Sequence, residues 1–333
     1  MRTNTLILLT FTLLAACGHK PQITKDNDNV VSDTIILPPE LEELAEKPTA
    51  KSTQSTKHAH ETSNFFAIEA DGKVMIGNSA DLLKNTEIQG TDITLSPDGD
   101  IIAYTDTTGE HCAVHIYDVN TKKDLRLQLG IYDYHSRSFS PDGNYLAVSC
   151  QFDELSCMVL LYDMRDSTLT SIVNPDTKAL YNPIFSPDGT LLSCHDMQKV
   201  LIYSFYEGNA KHIKTISCDN LCIDNDLSIN TLCKIQITPA HDQIVYTCAD
   251  YSTEREDFRH LNVYNISNGD VLKILPSDKS CKDFEVSDDG NIYFLMEADS
   301  THSAAYSASL SDFNPIILSK ENFTNATALR VAY

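Results

Sequence analysis

The sequence predicts an all-β fold: a β-propeller of four-stranded blades, six in number, with seven as the alternative. Two recurring phrases and their spacing carry this expectation. Ser96-Pro97-Asp98-Gly99, Ser140-Pro141-Asp142-Gly143 and Ser186-Pro187-Asp188-Gly189 are identical, and looser copies follow at Thr238-Pro239-Ala240-His241-Asp242 and Ser287-Asp288-Asp289-Gly290. Their starts lie 44, 46, 52 and 49 residues apart. That period belongs to repeated four-stranded units. Downstream of each turn an apolar or small residue precedes a tyrosine, at Tyr117, Tyr162, Tyr203, Tyr264 and Tyr306.

Residues 1–17 read as a leader outside the fold. Met1-Arg2 supplies a positive charge, and Leu6 to Leu14 is almost wholly apolar. This core is far shorter than the roughly 20 residues of a membrane span. Leu14-Ala15-Ala16-Cys17 has the form of a lipoprotein cleavage box, with the Cys17 thiol as the attachment point for lipid such as palmitate. An ordinary signal sequence with an incidental cysteine is the plainer alternative. Residues 18–63 are rich in Pro, Thr, Ser, Lys, Glu and Asp. Such a segment buries too little apolar surface to offset its ordering entropy and suits a tether.

Residues 64–333 form the predicted propeller. Phe65 to Ile68 and Val74 to Ile76, around Asp71-Gly72, give a first hairpin. In each later repeat, Pro presets the turn, Asp bonds its own backbone and Gly accepts positive φ. Short apolar runs flank the turn: Leu95 with Ile101 to Ala103, Phe139 with Tyr145 to Val148, Phe185 with Leu191-Leu192. These read as the first two strands of a blade. The tyrosine then falls on the third strand, packed between blades, and a looser fourth strand follows. Leu329, Val331 and Tyr333 alternate in a terminal strand that, with the first hairpin, closes a sixth blade and removes the free edge. At about 45 residues per unit the segment holds six blades. A seventh requires a degenerate unit between Tyr206 and Cys233.

The paired F-S-P-D-G and apolar-Tyr-Asp signals resemble the WD40-like or TolB-type repeats of bacterial extracytoplasmic propellers. The chain lacks tryptophan altogether, so Tyr stands where the standard WD repeat has Trp. The resemblance implies a propeller and a ligand or partner surface near the central channel. It does not imply one activity.

With 25 basic and 47 acidic residues the net charge is -22, which sets the chain against nucleic acid or a bare anionic lipid surface. Of ten cysteines, Cys17 is assigned to lipid, leaving nine. Cys150 and Cys157 flank one hairpin tip and are candidates for a disulfide. Cys218, Cys222 and Cys233 share one irregular insertion, where a local bridge is an alternative to free thiols. Cys218-x3-Cys222 matches neither a redox nor a zinc spacing, and His111-Cys112-x-x-His115 reads as a surface pair before it reads as a ligand set. Asp219, Asp224 and Asp226 make an oxygen-rich loop without the order of an EF-hand. No metal site, cofactor or catalytic residue is assigned. No Gly-x-Ser-x-Gly elbow and no phosphate loop occur.

The expected function is a lipid-anchored propeller on the periplasmic or outer side of a bacterial membrane. It would bind a protein or polysaccharide of the envelope and touch the membrane through its lipid alone. A glycan- or peptide-active hydrolase or lyase, and a purely structural protein, are the alternatives. The repeated Asp98, Asp142 and Asp188 are expected on one rim in a structural role. Residues that break the repeat are expected at the partner surface: the insertion with Asp219, Asp224 and Asp226, or Ser252 to His260.

Overall fold

The computed structural model describes residues 65–332, apart from 107–112, 128, 130–133, 152–155, 173–176, 178, 256 and 321. Cys17, the leader and the tether lie outside the described residues, as do His111, Cys112 and Tyr333. Six antiparallel sheets form a closed propeller. Blade one comprises Thr91–Leu95, Ile101–Asp106, Ala113–Asp118 and Asp124–Leu127. Blade two comprises Tyr134–Phe139, Tyr145–Gln151, Cys157–Asp163 and Leu169–Ile172, and blade three Tyr181–Phe185, Leu191–His195, Lys199–Tyr206 and Asn209–Ser217. In blade four the inner edge is shared by Leu227–Ser228 and Ile235–Ile237, followed by Gln243–Asp250, Arg259–Asn265 and Val271–Lys273. Blade five comprises Cys281–Val286, Asn291–Glu297, His302–Ser309 and the short Ile316–Ile317, with Phe323–Thr324 beside its third strand.

Blade six joins the two ends of the described chain. Ala326–Ala332 is its inner strand and pairs with Phe65–Ala70, which leads to Lys73–Gly77 and Lys84–Gln89. The stretch from Tyr206 to Cys233 holds no seventh blade. Asn209–Ser217 is the fourth strand of blade three, and one 3-10 turn at Cys218–Asn220 leads into blade four.

The core lies between blades. One apolar cluster fills each of the six interfaces. Tyr117, Tyr162, Tyr203 and Tyr264 belong to four of them, and Tyr306 packs against a fifth. All five stand on third strands. Each side chain therefore spans a pair of blades, and no blade can bury its apolar face alone.

The turns joining first and second strands share one geometry. Gly143 N–H donates to the Ser140 carbonyl at 2.8 Å, the Ser140 hydroxyl donates to Asp142 at 2.5 Å, and Tyr145 N–H donates back to Ser140 Oγ at 2.9 Å. The same bonds recur at Ser96/Asp98/Gly99 and Ser186/Asp188/Gly189, and at Ser287 with Asp289 and Gly290. Pro97 and Pro141 lie against the glycines of the next turns, Gly143 and Gly189. In the looser fourth copy the left-handed position is held by His241, at φ 58°. Gly143 adopts φ 70°. Gly143→Val should cost about 1 kcal/mol or more, because Cβ penalises that conformation. Gly99→Val and Gly189→Val should behave alike in thermal denaturation; neutrality at all three would contradict the shared turn.

The Cys150–Cys157 disulfide does not form. In the hairpin Cys150 faces Met158 and Cys157 faces Gln151. The two cysteines are one residue out of phase, so they project to opposite faces of the sheet. Cys150 packs between blades one and two, Cys157 lies beside the Ser149 hydroxyl, and both are free. Cys218, Cys222 and Cys233 are not bridged to one another in the structure.

Candidate functional site

The first strand of each blade lines the central channel. Polar residues stand in these strands, or directly before one in blade four, at one offset, four positions before the Ser or Thr that opens the turn: Asp92, Ser136, Asn182, Lys234 and Asp283. All five line a cavity of about 540 Å³ at the end of the channel opposite the Ser-Pro-Asp-Gly turns. Arg137, Glu69, Thr327 and Arg330 complete its wall. Register shifts break the pairing of the inner strands at this level in blades one, two, three, five and six. Such bulges leave a residue outside the ladder and re-aim its side chain. Asp92 and Asn182 take positive φ there, 57° and 51°.

A hydrogen-bonded belt of charge runs around the wall. Glu69 accepts from Asp92 N–H and from the Thr327 hydroxyl, each at 2.8 Å. Arg137 meets Asp92 at 3.1 Å and also bonds Thr105. Asp283 takes Lys234 at 2.9 Å, the Leu329 N–H at 2.9 Å, and Arg330. Burial alone would raise the Asp283 carboxyl, but Arg330 and Lys234 outweigh it and hold it below the ordinary range. Burial dominates at Glu69, Asp92 and Glu285 and raises all three. Lys234 is lowered, first by burial and then by Arg330. Arg330 thus stays firmly charged, while burial pushes the wall acids Glu69 and Asp92, and the neighbouring Glu285, toward neutrality.

The mouth is built from the segments that break the repeat. The insertion after blade three brings Thr231 and Leu232 to it, and Leu232 is 60% exposed. Asn182 fastens this segment, donating to the Thr231 and Cys233 carbonyls at 2.8 and 2.6 Å. His195 adds a bond to the Cys233 carbonyl at 3.0 Å, and burial lowers its imidazole to about 4. Asp257 and Arg259 arrive from the second insertion, and Asp299 to Ser303 from blade five. Lys282 pairs with Asp257, and His302 bonds Asp299 at 2.8 Å. Arg259 differs from the other basic residues here. Its guanidinium donates to the carbonyls of Lys282 at 2.7 Å and Cys281 at 3.5 Å, and meets no carboxylate among the described residues.

Several candidates from the sequence lie elsewhere. Asp219, Asp224 and Asp226 do not reach the cavity; Asp224 faces Lys273 at 3.5 Å. Asp98, Asp142, Asp188 and Asp289 sit in turns on the far rim. Their carboxylates are engaged with the turn, and Asp188, although burial opposes it, is lowered to about 2 by Ser186, Thr190 and His241. His115 contacts Asp124 at 3.0 Å and stacks on Tyr104. Among the described residues no group of His, Cys, Asp and Glu is arranged to hold a metal ion. The channel residues were not singled out by sequence, although the offset of four from each turn marks them.

No protein-family model matches the chain, and no curated protein matches it. Solved structures do. TolB from Acinetobacter baumannii superposes with a TM-score of 0.57 at 13% identity, over 81% of this chain and 66% of that one. A putative TolB from Agrobacterium tumefaciens gives 0.50 at 12% identity, over 80% and 91%. A chain of a nidogen/laminin complex gives 0.57 at 8% identity, over 81% and 98%. At these identities the likeness is one of fold.

Proposed function

We propose that the chain is a lipid-anchored propeller of the bacterial envelope that binds a protein or envelope polymer at its channel mouth. The carrying observation is convergence at one rim. Both segments that break the repeat deliver residues to a single cavity, Leu232 from one and Arg259 from the other. The far rim is occupied by near-identical turns whose polar atoms bond one another. Rigid closure beneath the mouth holds its loops in place for recognition. A similar propeller takes part in the nidogen/laminin complex, so the fold is compatible with a protein partner. The lipobox at Cys17 and the tether supply the envelope location.

Arg259 is the side chain most available to a ligand, because its remaining N–H groups are not committed to a carboxylate. Arg259→Glu should weaken capture of the partner from solubilised envelope by roughly tenfold or more, through like-charge and desolvation costs. Asn144→Lys on the far rim should leave capture unchanged. Capture that is absent for the wild type, or indifferent to Arg259→Glu, would contradict the assignment.

A further inference from the structure

Four of the cysteines crowd one side of blade four. Cys218, Cys233 and Cys248 belong to the apolar cluster between blades three and four, and Cys222 packs against it from a partly exposed position. Their roles differ. Cys233 is engaged by Asn230, whose side-chain oxygen lies 3.2 Å from its sulfur. Cys218 is buried at the start of the 3-10 turn, and its carbonyl accepts from Cys222 N–H at 3.0 Å. Tyr246 and Cys248 are two apart on one strand and share a face. The Tyr246 hydroxyl donates to the Leu221 carbonyl at 2.6 Å. That bond ties the residue before Cys222 to the strand face that carries Cys248.

We propose that Cys222 and Cys248 form a disulfide that staples the insertion from Cys218 to Cys233 onto the second strand of blade four. Cys222 packs against the apolar cluster that contains Cys248, and the Tyr246–Leu221 bond holds the two segments together. The neighbouring Cys248 side chain lowers the Cys222 thiol, while Cys222 raises that of Cys248; burial raises Cys218 and Cys233. The partly exposed Cys222 is therefore the attacking thiolate. It attacks a disulfide donor RSSR, forming the Cys222–SR mixed disulfide and releasing RS⁻. Cys248 then gives up its proton and attacks the Cys222 sulfur, expelling the second RS⁻. Two protein thiols are oxidised and one donor disulfide is reduced to two thiols. The staple fixes the segment that carries Thr231 and Leu232 to the channel mouth.

The proposal rests on the export reading only for the oxidant met in the cell, so its test separates the two. The purified full-length chain is incubated with oxidised glutathione, alkylated without reduction and mapped by mass spectrometry. A linked Cys222–Cys248 peptide pair, two hydrogens lighter than its reduced parts, is expected, and Cys222 should lose its alkylation. Cys218→Ser and Cys233→Ser should keep the link, whereas Cys222→Ser, at a partly exposed position compatible with folding, should leave Cys248 unlinked. Cys222 that stays alkylatable after oxidation, or that links to Cys218 or Cys233, would overturn the proposal. The same mapping on acid-quenched cells reads the compartment. A link that forms in the purified chain yet is absent in cells would count against export and leave the pairing standing.

Discussion

Replacing Asp283 with alanine is expected to destabilise the propeller by about 3–5 kcal/mol, the range for removing one member of a buried ion cluster. Asp283 is the acceptor shared by Lys234 from blade four and Arg330 from blade six, and it also takes the Leu329 N–H. Its loss leaves the buried Arg330 and the half-buried Lys234 facing each other near the seam where the chain ends meet. Urea denaturation at neutral pH measures the cost, and a value under about 1 kcal/mol would show that the belt is not structural. The pH dependence has a definite sign. The Asp283 carboxyl lies below its ordinary 3.8 in the folded state, so its contribution is fully present above 3.8 and is lost as pH falls through the lower folded value. Glu69, Asp92 and Glu285 act in the opposite sense. Their raised carboxyls make ionisation costly in the fold, a cost relieved as pH falls through those raised values. The penalty of Asp283→Ala should therefore persist through mild acid and shrink only below the ordinary carboxylate range.

The second large effect concerns location. Cys17→Ala should abolish incorporation of labelled palmitate and move the chain from the membrane to the soluble fraction. On the proposed reading the lipid is the hold on the bilayer, at about 0.8 kcal/mol per buried CH₂, and the variant lacks it. Labelling that persists in the variant would remove Cys17 as the attachment site. Labelling lost without release would mean that another contact tethers the protein.

The architecture was legible because its signals are local. A Ser-Pro-Asp-Gly turn and a third-strand tyrosine specify one blade each, and their period specifies the ring. Even closure could be read, since Leu329 and Val331 alternate like an inner strand. The channel was harder. Asp92 and Arg137 come from different blades, and Asp283 meets Arg330 only because the ring closes. A lone polar residue in an apolar strand reads as a surface position until the ring shows that it faces a channel. The common offset of Asp92, Asn182, Lys234 and Asp283 from their turns was the available signal. The cysteines failed for a different reason. Proximity at a hairpin tip does not determine strand phase, and a one-residue difference in phase sends a side chain to the other face. Thus Cys150 and Cys157 part, while a fold of the insertion that its sequence does not announce brings Cys222 against the cluster that holds Cys248.

The central claim is that the mouth, and not the rim of repeated turns, meets the partner. A photo-crosslinking residue placed at Leu232 tests it most directly, with one at Asn144 on the far rim as its counterpart. Both positions are on the surface, and neither carries a core contact of the apolar clusters. Irradiation in intact cells should give a discrete adduct from position 232 and none from position 144. An adduct from position 144 alone, or none from either, would contradict the assignment of the channel mouth as the binding face.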